Sequence, residues 1–141
     1  MASIKLDLFK ETCSNIATGF PDDSTWQGDK RFGAALVVIE KDNEESTRTL
    51  LADQFQNQYN SKTIKKASKT EKKMIKVFSG MQPGQELFSS VENEVILFAA
   101  WWPWSNGTSV SLRIGIFTFD EDIISDDEIM THLSEWFSIK K

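Results

Sequence analysis

The chain has 141 residues, with 40% apolar and 26% charged side chains, a composition that excludes wholesale disorder and allows one domain to bury a core without disulfide staples. A single cysteine, Cys13, excludes an intrachain disulfide and a cysteine-based zinc site, and the longest apolar run, Val95 to Trp102, is far too short to span a membrane. Acids outnumber bases 21 to 16, and the resulting net charge of −5 weakens any bulk attraction to nucleic acid or anionic lipid.

The N-terminal stretch MASIKLDLFKETC scatters charge where a secretory signal would carry an apolar block. Together with the lone cysteine, it leads us to expect a cytoplasmic protein. Over residues 4–20, Leu6, Phe9, Cys13, Ile16 and Phe20 recur at steps of three and four, the period of an amphipathic helix. Gly19 and Pro21 end it. An extended start is the alternative, because IKLDLF also alternates. Residues 19–29 are rich in turn formers and read as a loop carrying Trp26. The β-branched run over 32–40 reads as a buried strand. After the turn KDNEES, Ser46 is placed to cap a helix from about Thr47 to Lys66, with Leu51, Phe55 and Tyr59 at spacing four.

Residues 73–78, KMIKVF, read as a strand, and SGMQPGQ breaks it. ELFSSVE and EVILFAAWW supply one or two more. WPWSNG is a turn, in which Asn106-Gly107 tolerates positive φ. Over 108–119, Val110, Leu112, Ile114 and Ile116 alternate with Ser109, Ser111, Arg113 and Gly115, a strand with one wet face near its start. Ser125 and Glu128 then form a capping box, and Ile129, Leu133, Trp136 and Phe137 make the stripe of a last helix. The sum is an α+β single domain over 1–141: an antiparallel sheet of about four to five strands with N-terminal, middle and C-terminal helices packed against it.

Three features stand out as candidate sites. Trp101 and Trp102 are neighbours on a strand and must point to opposite faces, while Trp104 follows Pro103 in the turn. Trp104 and Trp26 are the candidate aromatic anchors for a protein partner. The segment DEDIISDDE, residues 120–128, holds six acids and no base. Capping explains Asp126, Asp127 and Glu128; Asp120, Glu121 and Asp122 remain as an acidic docking face for a basic partner, extended by Asp42, Glu44 and Glu45 if these lie nearby. Residues 62–76 hold seven lysines and one glutamate. They read first as a solvated face, with Lys72, Lys73 and Lys76 placed to neutralise Glu92 and Glu94. The run holds no arginine and no interleaved aromatics, which argues against a nucleic-acid patch.

Chemistry has little to build on. No nucleophile elbow, phosphate loop, dinucleotide fingerprint, calcium loop or histidine pair is present, and His132 is the only histidine. We therefore expect no enzyme, no metal site and no cofactor. The expected function is non-enzymatic binding of a basic protein partner, with no nucleic acid and no membrane. Its concrete form is an immunity-type inhibitor that neutralises a bacterial toxin domain. The alternatives are a small secretion chaperone or adaptor holding an apolar client segment, and an enzyme built on His132.

Overall fold

The computed structural model describes residues 6–20, 24–78, 80–92, 95–120 and 122–139 and is an α+β fold. Its elements run α1 (Asp7–Gly19), β1 (Gln27–Asp29), β2 (Ala34–Glu40), α2 (Glu44–Gln54), β3 (Asn57–Asn60), α3 (Lys69–Val77), β4 (Glu86–Glu92), β5 (Val95–Pro103), β6 (Ser109–Phe117) and α4 (Asp126–Trp136). Six strands, rather than the four or five expected, form one antiparallel sheet in the order β1-β2-β6-β5-β4-β3. No helix among the described residues is long and apolar enough to cross a membrane.

Side-chain alternation sorts the sheet into two cores. On one face Val37, Leu97, Ala99, Trp101, Leu112 and Ile114 lie beneath α1, α2 and α4, which contribute Phe9, Cys13, Ile16, Leu51 and Leu133. On the other, Ile96, Phe98, Ala100 and Leu87 meet Met74 and Ile75 of α3 and Phe78 just past its end. The central strand β5 is therefore buried on both sides from Val95 to Trp101, which explains its unbroken apolar sequence. Each large apolar side chain sealed in this way contributes about 1.5–3 kcal/mol relative to exposure.

The first and last helices and the long strands follow the sequence pattern. The capping box of α4 forms as read, Ser125 Oγ accepting from the Glu128 N–H at 3.2 Å and Glu128 Oε1 from the Ser125 N–H at 3.3 Å. Three segments depart from expectation. The helix expected over 47–66 stops at Gln54, and Phe55 turns extended to pack on Phe88, with ring centroids 6.3 Å apart. Tyr59 then belongs to β3, whose partner is β4: a distant strand outweighs a local spacing of four. Ser46 lies inside α2 rather than at its cap, and its Oγ donates to the Asn43 carbonyl at 3.2 Å.

The strand expected over 73–78 is instead α3. Ser68 and Glu71 form a second capping box, and Met74, Ile75 and Phe78 occupy one helical face. Glu71 is buried because its carboxylate satisfies three groups: it accepts from the Ser68 N–H and Oγ, and from Ser89 Oγ on β4. Finally, the expected loop before Arg31 contains β1, a three-residue strand that pairs with Ala34–Leu36.

Candidate partner-binding surface

The five tryptophans separate into internal and external roles. Trp101 is fully buried on the face covered by α1, α2 and α4, and Trp102 projects half-buried from the other, as adjacency on a strand requires. Trp136 is half-buried and stacks on His132 at 5.3 Å. Trp26, expected as a surface anchor, is instead buried between Phe20 and Phe137, with ring centroids 5.0 and 4.3 Å away. Its indole fastens the segment before β1 to α1 and α4, so its aromatic area is spent inside the fold.

Trp104 alone among the described indoles is largely exposed, at 43%. It is also held. Its Nε1–H donates to Ser111 Oγ at 2.9 Å, its backbone N–H donates to the Ser109 carbonyl at 2.9 Å, and its carbonyl accepts from the Gly107 N–H at 3.0 Å. Gly107 closes that turn at φ +75°, and Asn106 Oδ1 accepts from the Thr108 N–H and hydroxyl. An exposed ring already fixed in one orientation loses little rotamer freedom when a partner covers it.

The surroundings of Trp104 follow from strand register. Val38 pairs with Ser111, and Ser111 with Trp102, so the three lie in one row of the sheet. α3 covers the part of this face around Phe98 and Ile96, leaving Val38 44% exposed and Trp102 half-buried. Glu40 pairs with Ser109, which brings the corner between β2 and α2 to the same end of the sheet as the Trp104 turn. Glu40, Asp42 and Glu45 are exposed there. Sequence reading missed Val38 and Glu40 because the run over 32–40 looked buried on both faces. The signal was present in the parity that sets Leu36, Val38 and Glu40 on one side.

The acids of 120–122 are elsewhere. From Ser111 to Phe119 the chain spans eight positions, about 26 Å at the usual rise of a strand. Asp120 and Asp122 are exposed at that far end, and Glu121 lies outside the described residues. Asp120 Oδ1 accepts from the Asp122 N–H at 3.0 Å and the Asp120 N–H donates to Thr118 Oγ1 at 3.1 Å, a local turn that leads into α4. The register thus brings Glu40 to the row next to the one that holds Trp104, leaves Asp42 and Glu45 at the same end of the sheet on the turn into α2, and separates Trp104 from Asp120 and Asp122.

All seven lysines of 62–76 are exposed, and none forms an ion pair among the described residues; Glu94, one expected partner, lies outside them. The ion pairs that do form are Arg48–Glu86 at 2.8 Å and Arg113–Asp29 at 2.9 Å. Burial, then the negative charge of Glu71, pushes the Tyr59 phenol above its ordinary range. No group of three potential metal ligands occurs among the described residues.

Cys13 lies on the inward face of α1, fully buried, and burial alone pushes its thiol far up. It is therefore expected to resist a thiol-specific disulfide reagent in the native protein and to react promptly once guanidinium unfolds the chain. Prompt reaction under native conditions would show that α1 opens readily. No protein-family model, curated protein or solved structure matches this chain.

Proposed function

We propose that this chain is an acidic, non-enzymatic protein-binding domain, whose concrete role is immunity-type inhibition of a bacterial toxin by direct binding in the cytoplasm. The observation that carries the reading is Trp104: an exposed indole fixed by Ser111, in register with Val38 and one row from Glu40, with the exposed Asp42 and Glu45 at the same end of the sheet. Rim carboxylates steer a basic partner and raise the association rate; the central ring, once covered, slows dissociation. Asp120 and Asp122 join this surface where a footprint reaches along β6, since a standard interface of about 800 Å² per partner is roughly 30 Å across.

The test begins with co-purification of the protein encoded by the neighbouring gene. A complex of one copy each that abolishes toxin activity supports the reading. Trp104→Ala is expected to weaken that complex about 30-fold, the scale of a 2 kcal/mol hot spot, with the melting temperature nearly unchanged. Glu40→Gln/Asp42→Asn/Glu45→Gln is expected to slow association at low salt and leave dissociation alone. The pair Asp120→Asn/Asp122→Asn measures how far the footprint extends. Unaltered affinity in Trp104→Ala would remove the anchor from the proposal.

A second reading, an adaptor holding an apolar client segment, draws on the 540 Å³ cleft between β1 and α4, lined by Gly28, Met130 and Ile139 among others. Capture of short apolar peptides, lost on Met130→Asp, would favour it over inhibition.

A further inference from the structure

The lysine run ends on a helix whose outward face carries a single sign of charge. Lys69, Lys72, Lys73 and Lys76 follow one another at steps of three, one and three, and all are exposed on α3. Lys62, Lys65 and Lys66 continue the exposure through the preceding turn. The only acid of the segment, Glu71, faces the opposite way, into the sheet, where Ser68 and Ser89 hold it. These lysines form no ion pair among the described residues. The acids of the rest of the chain do not cancel such a face at physiological salt, where the screening length is about 8 Å.

In the sequence this run has neither aromatic rings nor arginines. The fold supplies both from distant segments. Beside the start of α3 lies Phe119, 55% exposed, with the Lys73 ammonium 6.0 Å from its ring centre. A cleft of 460 Å³ opens there, lined by Thr70, Lys73, Thr118, Phe119 and Asp120. Past Val77, at the other end of the helix, a 200 Å³ cleft is lined by Arg31, Phe32, Gln85 and Trp102, among others. Arg31 lies over Phe32 at 5.0 Å, and Arg113, which is paired with Asp29 at 2.9 Å, lies over Trp102 at 4.7 Å. Cations and rings thus alternate along one flank of the lysine helix, with Asp120 the acid lining the first cleft.

We propose that this flank binds a short single-stranded nucleic acid, its phosphates along the α3 lysines and its bases against Phe119, Phe32 and Trp102. Lysines without arginine suit phosphate contacts, which need charge rather than a bidentate fork. Rings set beside a helix can be reached by an unstacked base, whereas a duplex keeps its base faces covered. Trp102 lies in the row of Ser111, which holds Trp104, but the α3 lysines and Phe119 belong to no part of the Trp104 anchor, so variants at those residues test this site separately from the protein-docking proposal.

The test is fluorescence anisotropy of a labelled twelve-nucleotide thymidine oligomer, titrated with the full chain across a salt series. Saturable binding is expected at 50 mM salt. Lys72→Gln/Lys76→Gln is expected to lower the slope of log affinity against log salt by about 1.4, because each phosphate left without its lysine on a single strand takes about 0.7 from that slope. Phe119→Ala is expected to weaken binding at least about fivefold with the slope unchanged, the signature of lost stacking. Trp104→Ala is expected to bind the oligomer as the parent does. Circular dichroism confirms that each variant is folded, which their exposure favours. Absence of saturable binding, equal affinity for a duplex of the same length, or full affinity in Phe119→Ala would overturn the proposal. So would lysine-dependent binding to phosphatidylserine vesicles without binding to the oligomer.

Discussion

Gly115→Ala is expected to destabilise the fold by about 3 kcal/mol, the upper part of the range for overpacking, with a fall in Tm on the order of 10 °C. Gly115 sits near the end of β6, between Ala34 of β2 and Phe98 of β5. A Cβ built there overlaps the carbonyl oxygen of Gly33 and stands 2.8 Å from the Phe98 ring and 2.9 Å from the Ala34 Cα. Two of those neighbours are backbone, and neither can swing aside as a flexible side chain would. The Gly33 carbonyl is itself engaged, accepting from the Ile116 N–H at 3.2 Å, and Gly33 holds φ +60° to reach it. Making room for one methyl group therefore means separating β2 from β6 where the chain enters the sheet. Urea denaturation of the variant measures the loss, and a midpoint equal to that of the parent would show that the Gly33–Gly115 approach can relax.

Trp101→Ala is expected to cost about 3–5 kcal/mol, the range for a large buried aromatic cut to a methyl group. The indole is fully buried in the core beneath α1, α2 and α4, and the Arg48 guanidinium lies 5.1 Å from its ring centre while pairing with Glu86 at 2.8 Å. Truncation removes the ring and leaves a cavity that strands on both sides prevent from collapsing. Trp101 Nε1 has no hydrogen-bond partner among the described residues, so part of the native burial works against stability. Trp101→Phe discards that donor and keeps most of the ring, and is expected to lose less than half of what alanine loses. If phenylalanine proves as damaging as alanine, the volume of the indole, rather than its aromatic core, is what this site requires.

Three positions away, Trp104→Ala is expected to leave stability almost unchanged. The contrast separates what a sequence can say about aromatics from what it cannot. Alternation along β5 places Trp101 and Trp102 on opposite faces whatever the fold. It does not reveal that α3 stops short of the row containing Trp102, and so it cannot reveal the open patch beside Trp104. Trp26 shows the same limit in reverse: it lies in a stretch of turn formers, yet Phe20 and Phe137, from two other elements, close over it.

By itself the sequence determined the features that depend on nearest neighbours along the chain. These are the stripe of α1, the capping box and stripe of α4, the alternation of β6, the glycine turn at Gly107 and the α+β class. The helix Lys69–Val77 was likewise announced by the local capping box Ser68–Glu71, which sequence reading passed over in favour of the short run 73–78. Tertiary structure decided the rest. It drew Asn57–Asn60 into a strand by presenting the edge of β4. It also decided which acids accompany Trp104, through a register that joins Glu40 to Ser109 and leaves Asp120 at the far end of β6. The reason is the same in each case: periodicity tells which residues share a face, but whether that face meets water, a helix or another charge depends on segments distant in sequence.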